Sequence, residues 1–339
     1  MKAIVIEGPR SLALVDKPVP VPGPGEVLVR VKYCGICGSD LHAYETGFLQ
    51  PGLTIGHEFS GTIAALGTKV DGWRAGDYVT GNNIIACGRC RYCLRGEDNL
   101  CLEMRRLGIT DQGSMAEYVL VPAKDLVRLP DQRSLATAAL AEPLSVGLHA
   151  VNRAVLDHKQ PVLIIGAGTI GLVILAVLKH RGAGSVYVAE PNQFRRETAS
   201  KMGAEKVLDP LEVNLDREVE NLTENRGMSL VFDCAGHAET IAQACSLGAA
   251  GSMVVVPSIC YQPVTLNFLS LVTREVKINT AFGKTGREFR EAVDMITGGR
   301  MDLSPLVTAI ISPAETEKAF RETGSGNIKT LVLFHDEVD

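Results

Sequence analysis

A glycine-rich turn between a short apolar run and a second, helix-like apolar run constrains this chain more than any other feature. Residues 162–165 are predicted to form a buried strand and residues 172–179 a helix, joined by the turn at 166–171. Beyond the helix, strand-like runs at 185–189, 206–208, 230–233 and 252–256 alternate with helix-like stretches. This alternation predicts right-handed crossovers and therefore a doubly wound, parallel α/β sheet.

The spacing of the glycines in the turn is that of a dinucleotide-binding loop. Gly166 allows a tight turn, Gly168 lets the backbone approach a pyrophosphate, and Gly171 lets the strand and the helix pack closely. Thr169 and Ile170 lie in the part of the turn that leads into the helix, whose N-terminus would face the phosphate charge. A turn that only packs the sheet and binds no nucleotide is the alternative to this interpretation.

A carboxylate at the end of the next strand favours NAD over NADP as the dinucleotide. Glu190 follows Gly171 by 19 residues, at the position from which a side chain binds the hydroxyls of the adenosine ribose. Its charge would repel the 2′-phosphate of NADP. Arg195 and Arg196 weigh against this assignment, because either side chain could cover the adenine or pair with a phosphate.

The first part of the chain, residues 1 to about 135, is predicted to be rich in β-strands. Short alternating or apolar runs at 2–6, 27–31, 61–66 and 118–122 are separated by turn-forming residues. After about residue 282 the regular alternation of strands and helices ends, and a helix at 288–297 leads to a last strand at 329–334. The chain is therefore expected to contain two domains of different architecture.

Charge and cysteine usage exclude several classes of protein. The formal net charge of −5, with no run that concentrates Lys and Arg, argues against nucleic-acid binding. The chain has nine cysteines but no apolar signal core at its N-terminus, so a reducing, cytoplasmic location is expected. The uncharged stretch at 161–178 is split by glycines, which favours a buried strand-turn-helix over a membrane span.

Four cysteines lie close together in the sequence and have the spacing of a closed metal site. Cys87, Cys90, Cys93 and Cys101 are separated by two, two and seven residues. Four thiolates from one loop can complete the tetrahedral shell of a structural zinc ion, which leaves no position open for a substrate. An iron–sulfur cluster is an alternative, and disulfides are another that fits a reducing compartment less well.

A second set of ligands, Cys37, His57 and Glu142, would leave a zinc ion open to substrate. Zinc accepts thiolate, imidazole and carboxylate, and three such ligands leave a fourth position for water or an alcohol oxygen. One thiolate, one carboxylate and a neutral imidazole also balance the charge of the ion. Each of these residues alone is more commonly a surface or hydrogen-bonded residue than a metal ligand.

In this order along the chain, the motifs resemble those of the zinc-containing medium-chain alcohol and polyol dehydrogenases. The resemblance rests on residues 35–42 (GICGSDLH), 56–58 (GHE), 87–101, 142–146 (EPLSV) and the glycine turn, and it covers nearly the whole chain. With a glutamate at position 142, the chain resembles the sorbitol, butanediol and sugar-acid dehydrogenase branch of that family. Liver-type alcohol dehydrogenases have a cysteine at this place.

The resemblance implies a fold and a set of cofactors. We expect a Rossmann domain at 149–283 and a β-rich, GroES-like catalytic domain formed by 1–148 and 284–339. Two zinc ions per chain are implied: a catalytic ion on Cys37, His57 and Glu142, and a structural ion on the four clustered cysteines. NAD is the implied nucleotide, with NADP less favoured, and homodimers or homotetramers are usual in the family.

Three further residues receive roles from the resemblance. Ser39 would take the proton from the substrate hydroxyl, and His42, on the same face if the segment is helical, would pass it towards solvent. Glu58 is expected to lie behind the zinc ion or to reach it through water, because neighbours on a regular strand point to opposite faces unless the chain bends. It would bind the ion directly only when the fourth ligand exchanges. A helix cap for Ser39 and a surface position for His42 are the alternatives.

The implied reaction is the reversible, NAD-linked oxidation of a secondary alcohol, in a diol, polyol or sugar acid, to a ketone. Sorbitol dehydrogenases carry an arginine where this chain has Gly283, which argues against sorbitol itself as the substrate. The enzymatic alternatives are a threonine-type amino-alcohol dehydrogenase and an NADP-dependent ketone reductase. A nucleotide-sensing regulatory protein with the same fold is the non-enzymatic alternative.

Overall fold

The computed structural model describes residues 1–322 and 327–335. The chain forms two compact units: Met1–Glu142 with Thr285–Asp339, and Pro143–Lys284. Of the predicted C-terminal return at 284–339, residues 323–326 and 336–339 lie outside the described residues. The break after Glu142 and the predicted domain boundary at 148 both lie within one helix, Ala141–Asn152.

The strands of both units are numbered here in chain order. They are β1 (Lys2–Gly8), β2 (Ser11–Asp16), β3 (Glu26–Gly35), β4 (Glu58–Leu66), β5 (Tyr78–Gly81), β6 (Ile84–Ile85), β7 (Arg105–Arg106), β8 (Tyr118–Pro122), β9 (Leu126–Arg128), β10 (Val162–Ile165), β11 (Val186–Ala189), β12 (Lys206–Leu208), β13 (Met228–Asp233), β14 (Gly248–Val256), β15 (Lys277–Thr280), β16 (Val307–Ile311) and β17 (Lys329–Leu333).

The helices are numbered in the same way. They are α1 (Gly38–Thr46), α2 (Leu135–Ala138), α3 (Ala141–Asn152), α4 (Thr169–His180), α5 (Gln193–Lys201), α6 (Leu215–Thr223), α7 (Ala238–Leu247), α8 (Phe268–Arg274), α9 (Gly286–Thr297) and α10 (Thr316–Arg321). The strands predicted at 162–165, 206–208 and 118–122 coincide with β10, β12 and β8, and the helix predicted at 288–297 is the greater part of α9.

A mixed sheet forms the core of the first unit. Its order is β16-β17-β3-β4-β5-β9, with β8 also paired to β3, and its pairs are antiparallel except β16 with β17. Gly35, at the end of β3, pairs with Glu58 of β4 on one side and with Leu331 of β17 on the other. This register brings three segments that are distant in sequence to one edge of the sheet: the loop after β3, the start of β4 and the start of β17.

A parallel sheet forms the core of the second unit, in the order β12-β11-β10-β13-β14-β15. Every residue of β10 and β11 is buried, as expected for strands that are covered by helices on both faces. The strand order reverses between β10 and β13, which is where Rossmann folds bind dinucleotides at the carboxyl ends of their strands. The prediction of a doubly wound Rossmann sheet is confirmed.

The described residues contain no single helix that is long and apolar enough to cross a membrane. One bent pair of helices, 132–138 with 141–152, meets the length and composition criteria together.

The glycines of the dinucleotide turn differ in how much space surrounds them. Substitutions at these positions can therefore test their separate roles. A Cβ atom at Gly171 would overlap the carbonyl oxygen of Gly166, whereas a Cβ atom at Gly168 would meet nothing within 4 Å. We expect Gly171→Ala to lower the free energy of unfolding by about 1–3 kcal/mol, because the helix must move away from the turn. Urea unfolding followed by circular dichroism measures this change.

Gly168→Ala is the matched control for that measurement. Its stability should stay within about 0.5 kcal/mol of the wild type, since no atom is displaced. Its dinucleotide affinity should instead fall about tenfold or more, because the added methyl group occupies the backbone surface that the pyrophosphate approaches. Equal losses of stability in the two variants would contradict the separate roles of the two glycines.

Candidate metal centres and nucleotide site

The four clustered cysteines form one compact group of sulfur atoms. The Sγ atoms of Cys87, Cys90, Cys93 and Cys101 all lie within 4.8 Å of one another. The Sγ of Cys93 is 3.5 Å from that of Cys90 and 3.9 Å from that of Cys87. These separations are too long for disulfides, and all nine cysteines of the chain are free thiols. The sequence alternative of disulfide bonds is therefore wrong for this structure.

Backbone N–H groups around the cysteines favour the thiolate form. The N–H of Cys87 donates to the Sγ of Cys101 at 3.2 Å, and the N–H of Glu103 donates to the same sulfur at 3.4 Å. Backbone N–H groups, those of Cys93 and Leu102 first among them, lower the pKa of Cys90 to about 6. Burial raises the pKa of Cys93 to about 12, so this thiol needs a cation to ionise. Four convergent sulfurs of this kind fit a tetrahedral zinc ion.

The second candidate centre begins at the N-terminus of α1. Cys37 precedes the helix, and its N–H donates to the Oδ2 of Asp40 at 3.0 Å. The Oδ1 of the same carboxylate accepts a hydrogen bond of 3.4 Å from the N–H of Gly56, which precedes His57. Asp40 is 2% exposed, so one buried carboxylate ties together the two segments that carry Cys37 and His57.

His57 is placed by a backbone turn that favours glycine before it. Gly56 has a φ of 89°, and a Cβ atom there would collide with Met115 and with the Sγ of Cys34. The Nδ1 of His57 lies 3.6 Å from the Oδ1 of Asp40 and has no hydrogen-bond partner, although it is buried. Burial lowers the pKa of His57, but the charges of Asp40 and Cys37 outweigh it and raise the pKa to about 10. The ring therefore lies in a strongly negative environment that attracts a cation.

Glu58 lies beside Cys37 and His57 rather than on the opposite face. One ligand atom from each of these three residues lies within 4.8 Å of those from the other two. His57 comes before β4, and Glu58 is its first residue, so the alternation of a regular strand does not apply to this pair. The chain bends before β4, which is the exception to the alternation of a regular strand, and the role of Glu58 beside the zinc ion stays a prediction.

A buried lysine neutralises Glu58. The Nζ of Lys329 donates to Oε1 at 2.8 Å and to Oε2 at 2.6 Å, and also to the carbonyl oxygen of Ile36 at 2.8 Å. The side chains of Lys329 and Glu58 are 2% and 1% exposed. Burial lowers the pKa of Lys329, yet the negative charges of Glu58 and Cys37 prevail and raise it, so the lysine stays charged.

Glu142 lies at the margin of this group. It is in the first turn of α3 and is buried, and its charge raises the pKa values of both His57 and Glu58. Among the described residues, however, the carboxylate within 4.8 Å of both Cys37 and His57 is that of Glu58. The thiol of Cys37, the imidazole of His57 and the carboxylates of Glu58 and Glu142 are ligand types that zinc accepts. These residues therefore fit a zinc ion.

Ser39 and His42 share the short helix that starts after Cys37. Both are half-buried members of α1, three residues apart, and therefore lie on the same face of the helix. The ring of His42 lies 5.6 Å from that of Phe48, centroid to centroid. The segment is helical, so the condition for Ser39 and His42 to share a face is met.

The nucleotide residues lie along the carboxyl edge of the parallel sheet. Gly168 caps α4, which begins at Thr169 and Ile170, so the helix N-terminus faces the turn as predicted. Glu190 follows β11 and is buried; its Oε2 accepts from the N–H of Ala167 at 2.7 Å and its Oε1 from that of Asn192 at 2.9 Å. Arg195 lies in the first turn of α5, where its N–H donates to the side chain of Asn192, which caps that helix.

Sequence reasoning missed two residues of the metal centre, Asp40 and Lys329. Asp40 lies three residues after Cys37, the spacing at which a side chain returns to the N-terminus of its own helix, so a local signal existed. Lys329 is a single charged residue at the start of an apolar strand. An inward charge in such a strand needs a buried partner, but nothing in the sequence identifies Glu58 as that partner.

Two family models match the chain. Residues 23–131 match the alcohol dehydrogenase GroES-like domain, and residues 169–298 match the zinc-binding dehydrogenase domain. The sorbitol dehydrogenase of Halalkalibacterium halodurans is 32% identical over 98% of this chain and 99% of its own length. The L-threonine 3-dehydrogenase of Pyrococcus horikoshii is 35% identical over 87% of this chain and 86% of its own length.

Solved structures agree with these matches. A zinc-binding dehydrogenase of Sinorhizobium meliloti 1021 bound to NADP superposes with a TM-score of 0.90, at 31% identity, over 98% of this chain and 99% of the other. An alcohol dehydrogenase of Escherichia coli CFT073 complexed with NADH has a TM-score of 0.92, at 29% identity, over 98% and 99% of the two chains. The predicted combination of a GroES-like and a Rossmann domain is thus confirmed. The chain belongs to the zinc-containing medium-chain alcohol and polyol dehydrogenases, and it is an oxidoreductase of that family.

Proposed function

We propose that the protein oxidises a secondary alcohol, in a diol, polyol or sugar acid, reversibly to a ketone with NAD. The observation that carries the proposal is the group formed by half-buried Cys37 with buried His57 and Glu58, with Glu142 at its margin, in a chain that also has the dinucleotide turn. A zinc ion at this group would supply a Lewis acid that makes a substrate hydroxyl more acidic, and NAD would supply the hydride acceptor.

Cys37, His57 and Glu142 are the proposed ligands of the catalytic zinc ion. Two carboxylates compete for the third position, and Lys329 favours Glu142, because both oxygens of Glu58 already accept hydrogen bonds from its ammonium group. Asp40 faces the Nδ1 of His57, which leaves Nε2 to face the metal. Glu58 would then lie beside the zinc ion and bind it directly only while the fourth ligand exchanges.

Ser39 and His42 are proposed to move the proton. The Ser39 hydroxyl lies two residues from Cys37, on the first turn of α1, and accepts the proton of the substrate hydroxyl while its own passes on. His42 lies one turn further along the same face and transfers the proton towards solvent. Asp40 orients both residues indirectly, because it fixes the N-terminus of the helix.

The proposed substrate class rests on the ligand types of the catalytic centre and on one difference from sorbitol dehydrogenases, at Gly283. Gly283 has a φ of 59°, a backbone conformation that favours glycine, so the local chain differs from one that presents an arginine at this place. This supports a substrate other than sorbitol. A diol or an aldonate retains the secondary hydroxyl that the metal centre requires.

We propose NAD as the nucleotide because the buried carboxylate of Glu190 adjoins the glycine turn. Its two oxygens already accept one backbone N–H each and retain lone pairs for the ribose hydroxyls. A 2′-phosphate at the same place would bring negative charge against a buried carboxylate.

The first unit would then act as the catalytic domain and the second as the nucleotide domain, in a homo-oligomer. β15 is an edge strand of the second unit, with Ile278 exposed, and the neighbouring α8 exposes Phe268, Leu269 and Val272. An open strand edge beside exposed apolar side chains suits pairing with a second copy. The nine free thiols suit a reducing, cytoplasmic location.

Metal analysis tests the two proposed centres. We expect two zinc ions per chain in the wild type and one in both Cys37→Ser and Cys90→Ser, because each variant loses one ligand of a different ion. Cys37→Ser should also lose roughly a thousandfold in kcat, as the Lewis acid is lost. A single zinc ion that survives Cys37→Ser and disappears in Cys90→Ser would disprove the catalytic metal.

The pairing of Lys329 with Glu58 predicts a large loss of stability when the lysine is removed. Lys329→Met leaves a buried carboxylate without its cation, so the free energy of unfolding should fall by about 3–5 kcal/mol. The double variant Lys329→Met with Glu58→Gln should regain most of this loss, because the charge is removed as well. Chemical denaturation measures both variants.

Lys206→Met is the matched control for the buried pair. Lys206 also begins a strand and also contacts a glutamate, Glu218 at 2.7 Å, but its side chain is 46% exposed. Its replacement should cost less than about 1 kcal/mol. A loss in Lys329→Met no greater than in this control would show that Glu58 does not depend on Lys329.

A panel of diols, polyols, aldonates and L-threonine, assayed with NAD by the absorbance of NADH, tests the reaction itself. Turnover of a diol, polyol or aldonate is expected, and Ser39→Ala should lower kcat about 10²–10⁴-fold through the loss of proton transfer. Ser200→Ala, an exposed serine on α5, is the control and should leave turnover unchanged. Turnover confined to L-threonine, or to NADP, would instead support one of the two enzymatic alternatives.

A further inference from the structure

Arg196 is held in place on the second unit by three acceptors. Its Nη1 donates to the carbonyl oxygens of Glu190 at 2.8 Å and Pro191 at 2.6 Å, and it forms an ion pair of 2.8 Å with the Oδ2 of Asp209. The side chains of Arg196 and Asp209 are 16% and 13% exposed. This is a largely buried ion pair rather than a mobile surface contact, and all three of these contacts are made through Nη1.

The strand register explains why these residues meet. Ala189, the last residue of β11, pairs with Leu208, the last residue of β12, and the N–H of Glu190 donates to the carbonyl oxygen of Leu208 at 3.0 Å. Glu190 and Asp209 therefore leave the carboxyl edge of the sheet side by side. Asp209 is fixed in turn, because its Oδ1 accepts from the N–H of Leu211 at 2.9 Å.

The ion pair between Arg196 and Asp209 adjoins the residue of the proposed ribose site. The guanidinium of Arg196 hydrogen-bonds to the backbone of Glu190, the residue whose carboxylate is proposed to bind the ribose hydroxyls. A 2′-phosphate on that ribose carries nearly two negative charges and is bound best by a guanidinium with free donors. Asp209 already uses the charge of Arg196 and competes with such a phosphate.

We propose that Asp209 is a specificity residue for the nucleotide: it holds Arg196 away from the 2′-phosphate position, so that the charge of Arg196 is not available to NADP. This inference rests on the proposed binding of the adenosine ribose at Glu190. It assigns discrimination to two residues, since Glu190 repels the 2′-phosphate and Asp209 withholds the group that would attract it. Asp209 has no part in the proton relay or in either metal centre.

The test measures the dissociation constants of NADH and NADPH by calorimetry for the wild type and a set of variants. Asp209→Asn keeps the shape of the side chain and removes its charge, so Arg196 loses its ion-pair partner while its contacts with the carbonyl oxygens of Glu190 and Pro191 remain. The NADPH affinity relative to NADH should then rise about tenfold, the effect of one charge-assisted contact. Asp209→Glu keeps the charge and should keep the wild-type ratio.

A double variant separates the cation from the loss of negative charge. In Asp209→Asn with Arg196→Gln the gain for NADPH should disappear, because no guanidinium is left to release. Asp216→Asn, in the first turn of α6, removes a negative charge elsewhere in this unit and should leave the ratio unchanged. Asp209→Ser serves as the second neutral variant if Asp209→Asn does not fold.

The outcomes distinguish this inference from the proposed function. A wild-type preference for NADPH contradicts the proposed use of NAD, whatever the variants do. With a wild-type preference for NADH, equal changes in both affinities in Asp209→Asn would show a merely structural role and overturn the inference. A gain for NADPH that persists in the double variant would overturn it as well, since Arg196 would not be its source.

Discussion

The burial of negative charge beside His57 is the constraint on which the metal centre depends. Asp40, Glu58 and Glu142 are all buried near the histidine, and the thiol of Cys37 beside it is half-buried. Isolated carboxylates do not persist in such surroundings without compensation. Lys329 compensates one of them, and the remaining negative groups attract a cation, which suits the zinc ion proposed for this site. The local fold itself holds these charged groups close together, independently of any reaction.

Strand register, rather than sequence proximity, brings these charges together. Gly35 lies between Glu58 and Leu331 in neighbouring strands, so the loop with Cys37, the His57 segment and Lys329 meet at one edge of the sheet. A shift of one residue in β17 would turn Lys329 to the other face and leave Glu58 buried alone. A shifted register of β17 against β3 would therefore be unfavourable electrostatically as well as through lost hydrophobic burial.

The same reasoning explains what could be predicted from the sequence. The four-cysteine group lies within one short segment, and the dinucleotide turn within six residues, so their geometry follows from local spacing. The parallel sheet was also predictable, because strands buried on both faces are apolar throughout. By contrast, Glu58 and Lys329 are 271 residues apart, and their contact depends on a strand pairing that periodicity does not identify. The sequence also left open whether the chain bends at His57 and Glu58, because alternation in a strand predicts opposite faces only where the strand has begun.

The two units use opposite versions of one electrostatic device. In the first unit a buried cation, Lys329, occupies both oxygens of the glutamate beside the metal centre. In the second, a carboxylate, Asp209, occupies the arginine beside the ribose site. In the first unit the partner comes from β17, which β3 separates from β4, and in the second it is the residue that follows β12. In both cases the charge of the group near the candidate site is neutralised without the group being removed. A charged residue close to a site therefore cannot be assigned to a ligand until its own partner is known, and this applies to Glu58 as much as to Arg196.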